Sequence, residues 1–163
     1  MEIIELNSSF FEDFKDLLVE LQKYVVSIDK FKLNKLSPDY REKYFEKTLK
    51  EVEENEGKIF IAVEDGKAVG AVCGFMERYS VEDELDFTCP KRGVISELVV
   101  SESCRAGGVG KSLVAKMEEF LISCGAEFIL LDVFAYNENA KIFYSKRGYE
   151  ERMITLIKRV EDD

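Results

Sequence analysis

The sequence predicts an α/β sandwich built around a mixed sheet. Asp65-Gly66 separates two β-rich apolar runs, 59–63 and 68–72, which is the signature of a tight hairpin. Apolar residues recur at helical spacing at Phe10, Phe14, Leu17, Leu18, Leu21 and Val25, and again at Leu113, Met117, Phe120 and Leu121. The elements read in the order β-α-α-β-β-β-α-β-α-β, which lets helices bury their apolar stripes against one sheet.

Each element has a local reason. Residues 2–6 alternate as a short strand, and Ser8 or Ser9 is suited to cap the first helix. A second helix is expected after Ser37-Pro38, with proline in its favoured first turn, running through Tyr40, Tyr44 and Leu49 to about Glu54. Residues 27–36 between them read as an exposed loop. Residues 80–90 are too acidic and irregular for a sheet and read as a loop before a strand that ends at Val100. The Leu113 helix stops at Cys124-Gly125, residues 128–133 read as a short buried strand, and residues 137–147 form the last long helix, stopped by Gly148. Residues 149–160 alternate apolar and charged groups, which predicts a closing strand or hairpin.

The run Arg105-Ala106-Gly107-Gly108-Val109-Gly110 falls between the strand and the Leu113 helix. A turn with three glycines lets bare backbone approach a ligand, and it opens a helix whose first amides have no intrahelical partner. Such a terminus favours an anion, by roughly 0.3 to 1 kcal/mol per interaction, and Arg105 and Lys111 add full charges. Gly110-Lys111-Ser112 resembles the end of a nucleotide P-loop, but that loop needs glycine where Arg105 stands. The dinucleotide pattern G-x-G-x-x-G fails as well, because Gly108 and Gly110 are followed by Leu113.

Arg105, Gly108 and Gly110 do fit [RQ]-x-x-G-x-[GA]. Leu131, Val133, Asn137, Ala140, Phe143, Tyr144, Gly148 and Tyr149 fit L-x-V-x-x-x-N-x-x-A-x-x-[FL]-Y-x-x-x-G-[FY]. Together these motifs resemble the GNAT superfamily of acyl-CoA N-acyltransferases, and the resemblance is carried by residues 94–149. It implies a mixed, mostly antiparallel central sheet flanked by helices on both faces, with acetyl-CoA as co-substrate. It also implies that the pantetheine arm pairs with backbone groups of the strand before the loop, here Leu98 and Val100. The pyrophosphate would lie within Arg105, Ala106, Gly107, Gly108, Gly110, Lys111 and Ser112. Asn137 is expected either to cap its helix or to meet the cofactor arm, and the two roles are compatible.

Length and composition narrow the function classes. A chain of 163 residues with 46% hydrophobic content suits a single domain spanning 1–163. There is no histidine, and Cys73, Cys89, Cys104 and Cys124 have no C-x-x-C spacing, so no metal site is expected. Dispersed cysteines without a signal-peptide pattern predict a cytoplasmic protein, and no apolar run is long enough for a membrane span. A net charge of −10 argues against nucleic acid. Residues 1–90 hold 21 acidic and 12 basic side chains, whereas residues 91–163 hold 12 and 11. This imbalance reads either as a solvated acidic surface or as an attraction for a cationic acceptor. The sequence leaves a homodimer open.

N-acyl transfer needs a bound thioester, an amine, a base for the amine proton and an acid for the leaving thiolate. A primary amine near pKa 10.4 is protonated at pH 7, and reaching its free form costs about 4.6 kcal/mol. Glu97, alone among apolar strand residues, is the general-base candidate if its carboxylate enters a cleft, and an exposed strand carboxylate if it does not. An ordered water chain is the alternative base. Tyr144 lies on one helix face with Ala140, where the resembled family places a tyrosine near the thioester sulfur, and is the general-acid candidate. Its other reading is a core aromatic. Cys104 has no histidine to activate it as a nucleophile. The loops at 27–36 and 80–90 and the second helix are expected to line the acceptor pocket, with Asp29, Glu82, Asp83, Glu84 and Asp86 selecting a small cationic amine. The rivals are a non-catalytic CoA-binding regulatory domain and a nucleotide-binding protein.

Overall fold

A computed structural model describes residues 1–105 and 107–160. The chain separates into two compact units, Met1–Asp132 and Val133–Asp163. The first holds five strands, β1 (Glu2–Glu5), β2 (Lys58–Glu64), β3 (Lys67–Met76), β4 (Arg92–Val100) and β5 (Phe128–Leu130), with helices α1 (Phe11–Ile28), α2 (Tyr40–Glu54) and α3 (Val109–Ser123). The sheet order is β1-β2-β3-β4-β5. Each neighbouring pair among the first four strands is antiparallel and β5 runs parallel to β4. This is the mixed, mostly antiparallel sheet that the motifs imply.

The hairpin forms where Asp65-Gly66 predicts it, both residues taking positive φ (49° and 78°) as the tight turn requires. Helices cover both faces. On one face Phe14, Leu17 and Leu18 of α1 and Phe45 and Val52 of α2 pack with Ile59, Ile61, Ala71, Cys73 and Val99. On the other, α3 lies so close to β3 that a Cβ at Gly74 would fall 2.6 Å from Met117 Sδ. The sheet thus separates an α1/α2 face from an α3 face.

Several expectations need correction. The first cap is Asn7, whose side chain accepts from Ser9 N and starts a short 3₁₀ turn, not Ser8 or Ser9. Pro38 lies just before the second helix and not in its first turn, because Tyr40 N donates to Ser37 O and closes a turn through Pro38-Asp39. Residues 27 and 28 are still helical. The strand expected over 128–133 ends at Leu130, and Phe128 is 59% exposed at the sheet edge.

The second unit contains α4 (Glu138–Ser145). Asn137 caps it by accepting from Ala140 N at 3.2 Å, and Gly148 follows with φ 88°. Residues 149–160 form no strand, contrary to the alternation, and Met153, Leu156 and Val160 are at least 80% exposed. Alternation arranges side chains, but a strand also needs a partner for its backbone.

Candidate active site

Strand β4 carries an irregularity that decides where its side chains point. Cys73 pairs with Glu97, but the next residue of β3, Gly74, pairs with Ile95, so Ser96 is an extra residue bulged out of the ladder. The bulge reverses the parity of the strand. Glu97 and Val99 lie opposite Cys73 and Ala71 on the α1/α2 face, while Ile95 lies opposite Gly74 on the α3 face. A carboxylate is thereby carried to the apolar α1/α2 side. Tyr44 of α2 meets it there, its Oη donating to Glu97 Oε1. Burial pushes the Glu97 carboxyl above its ordinary value, and the Tyr44 hydrogen bond and the charge of Lys47 only partly offset this. The Tyr44 hydroxyl is raised too, first by burial and then by the Glu97 charge.

Among the described residues the outer edge of β4 has only a short strand pairing, with β5, through Arg92, Gly93 and Val94. Ser101 N donates to Val69 O, so the hydrogen-bonded pairs with β3 alternate through Val99 and Glu97. The backbone groups of Leu98 and Val100 therefore face the outer edge, and their half-buried side chains lie on the α3 face. Either function expected of these two residues, packing or backbone pairing, is compatible with this geometry.

Beyond that edge, Gly108 caps α3 with φ 82°, and a Cβ there would meet no described atom within 4 Å. Among the described residues no side chain caps the helix. The first amides of such a helix lack intrahelical partners, a fit for the oxygens of a diphosphate. Gly107 is exposed, Gly110 is the second residue of the helix, and Lys111 is exposed on it. Ser112 N donates to Gly108 O at 3.1 Å, which leaves only the Ser112 hydroxyl for a ligand. Arg105 is held by the protein itself. Its Nε donates to Val100 O at 3.3 Å, its guanidinium lies 3.5 Å from Glu20 of α1, and it sits 5.6 Å from the Tyr24 ring. Ala106 lies outside the described residues.

The expected acceptor loops divide. Asp29 is 5% exposed and accepts from Phe31 N, Leu33 N, Asn34 N and Asn34 Nδ2, so the loop at 27–36 folds around it and it cannot face an acceptor. Asp83 accepts from Ser80 N and Oγ. Glu82, Glu84 and Asp86 stay exposed. Arg92 anchors the base of that loop, paired with Glu77 and stacked on Tyr79 and Phe87 at 5.0 and 4.6 Å. In the second unit, Tyr144 packs between Phe143 and Tyr149, with ring centroids 5.0 and 5.4 Å away.

Sequence reasoning missed Tyr44 and Glu20. Tyr44 was legible only as part of an apolar helical stripe, although Tyr40 and Tyr44, four residues apart, already marked an aromatic pair on one face. Glu20, which accepts from Glu102 N at 2.7 Å and pairs with Arg105, gave no signal beyond its charge.

Comparison with known proteins supports this architecture. The sequence matches the Acetyltransferase (GNAT) family over residues 21–149. A comparison with curated proteins gave no match. Among solved structures, a mutant of the BH1408 protein from Bacillus halodurans has a TM-score of 0.84 at 18% identity, with 99% of this chain and 100% of that chain covered. Glucosamine-6-phosphate N-acetyltransferase from Arabidopsis thaliana has a TM-score of 0.65 at 20% identity, with 98% of each chain covered. The aminoglycoside N-acetyltransferase AAC(6')-Iy, in complex with CoA, has a TM-score of 0.68 at 20% identity, covering 98% and 100%. With the family match running from α1 through the bulged strand and the glycine loop to Tyr149, the chain belongs to the GNAT family of acetyltransferases.

Proposed function

We propose that this protein transfers an acetyl group from acetyl-CoA to a primary amine on a small cationic acceptor, by direct attack of the amine. The observation that carries this reading is the succession along the chain of the outer β4 edge, toward which the Leu98 and Val100 backbones face, and the start of α3 at Gly108, which has no side-chain cap among the described residues. The strand edge suits an extended amide-bearing arm and the helix start suits a diphosphate, with residues 101–105 between them held by the protein's own hydrogen bonds. The CoA complex of a structurally similar aminoglycoside N-acetyltransferase supports the same ligand.

Acetyl-CoA supplies the activated acetyl thioester. The chain's residues do the rest. Leu98 and Val100 align the arm through their backbone, while the loop amides, Lys111 and the Ser112 hydroxyl hold phosphate oxygens. Arg105 braces the loop against α1 and adds positive charge. Glu97 takes the amine proton, its raised carboxyl bringing it closer to neutral pH and making it a stronger base. Tyr144 holds the proton at Oη that the leaving sulfur requires, and Asn137 sets the start of its helix. Exposed Glu82, Glu84 and Asp86 favour a cationic acceptor.

An acetyl-CoA consumption assay across polyamines, aminoglycosides, amino acids and peptide N-termini tests the reading. Turnover with at least one amine is expected. Tight CoA binding with no turnover on any amine would instead identify a CoA-binding regulatory domain.

A further inference from the structure

The contact between Tyr44 and Glu97 joins residues 53 apart in sequence and ties helix α2 to the bulged segment of β4. Among the described residues, Tyr44 is the one hydrogen-bond partner of the Glu97 carboxylate, and it uses Oε1 alone. The tyrosine is itself held. Its ring stacks on Tyr40 with centroids 4.6 Å apart and planes 12° from parallel, and Lys47 Nζ lies 5.1 Å from its centroid. Tyr40 Oη reaches Gln22 Oε1 of α1 at 3.5 Å, and Gln22 Nε2 donates to Lys35 O at 2.8 Å. Three separate pieces of chain, α1, the loop after it and α2, thus converge to fix one phenol.

We infer that Tyr44 is a positioning residue for the amine-deprotonating carboxylate, holding Oε1 of Glu97 so that Oε2 remains for the acceptor's proton. The inference rests on the assignment of Glu97 as base in the proposed acetyl transfer. Its physical basis is geometric. A carboxylate on a flexible side chain has two equivalent oxygens and several rotamers, and proton transfer requires one oxygen at hydrogen-bond distance from the amine or an intervening water. A stacked phenol that binds one oxygen removes the rotational freedom and leaves the other oxygen open. The remaining groups around the carboxylate cannot do this. Lys47 and Glu51 act on it only through their charges, the thiol of Cys73 across the ladder is fully buried, and α1 presents apolar Phe14, Leu17 and Leu18 to this face.

Tyr44→Phe is the test, because it keeps the stacked ring and removes only the hydroxyl. The Glu97 carboxyl is followed directly by carbon-13 NMR of glutamate-labelled full-length protein, with Glu97→Gln identifying its resonance. Losing a hydrogen bond to the charged form should move the titration midpoint upward by about one to two pH units. The acid limb of kcat/KM should move by the same amount, with kcat reduced roughly tenfold or more at neutral pH and KM for acetyl-CoA unchanged. A midpoint and pH profile that superimpose on the wild type would overturn the inference while leaving the acetyltransferase reading intact. If Glu97→Gln keeps full activity, or if the wild type acetylates no amine, the assignment of the base has failed and the positioning role falls with it.

Discussion

Cys73 and Glu97 face each other across β3 and β4, while the neighbouring pair is Gly74 with Ile95. One skipped residue, Ser96, therefore separates a regular strand from one that delivers a carboxylate to the α1/α2 face. Among the described residues the buried Ser96 hydroxyl has no hydrogen-bond partner, a polar atom left over at the point where β4 loses its β5 neighbour. If Glu97 is the base this geometry serves, Glu97→Gln should lower kcat/KM by roughly 10²- to 10⁴-fold and abolish the acid limb of the pH–rate profile. Steady-state kinetics over pH 5 to 9 checks this, and an unchanged profile would assign the proton to a water chain.

Gly108 holds the left-handed backbone conformation at the start of α3. A Cβ there meets no described atom within 4 Å, but valine in this backbone conformation is strained by about 1–3 kcal/mol and places its branched side chain at the helix start. Gly108→Val should weaken CoA binding by at least about a hundredfold with the fold retained. Calorimetric titration together with circular dichroism checks both parts.

Tyr144 should separate chemistry from binding. Tyr144→Phe keeps the ring contacts with Phe143 and Tyr149 and removes the hydroxyl. If Oη supplies the proton, kcat should fall by roughly 10²- to 10⁴-fold with little change in CoA affinity. Equal rates would return Tyr144 to a packing role.

Asp29 gives a prediction for stability and not for activity. Hydrogen bonds, first from the Asn34 side chain and its backbone amide, hold its carboxyl at about 2, below its ordinary 3.8. A depressed carboxyl contributes stability above its unfolded value and loses that contribution as pH falls through the folded one. The wild type should therefore lose stability more steeply than Asp29→Asn between about pH 4 and about pH 2. Urea midpoints across this range check it, and parallel slopes would contradict it.

The legible parts of this chain were those with local causes. The Asp65-Gly66 turn, the α1 stripe through Phe14 and Leu18, the glycine turn and the Asn137 cap each follow from a few adjacent residues, and each stands where expected. What escaped depends on partners far along the chain. A single extra residue in the apolar run of β4 leaves no mark on its composition, so the side to which Glu97 turns was undecided until Cys73 and Tyr44 were in place. Asp29 looked like an acceptor ligand because its charge was visible and its four donors were not. The segment 149–160 had a strand's alternation without a strand's partner.

Thermal unfolding of the protein with acetyl-CoA, measured beside ATP and NAD, decides whether the β4 edge and the glycine turn hold a CoA thioester. A ligand at a hundred times its dissociation constant stabilises by about 2.7 kcal/mol, a rise of roughly 5–10 °C for a chain of this size. Acetyl-CoA should produce that rise, Gly108→Val should erase it, and ATP and NAD should do little. No response to acetyl-CoA, or a larger response to either nucleotide, would contradict the claim.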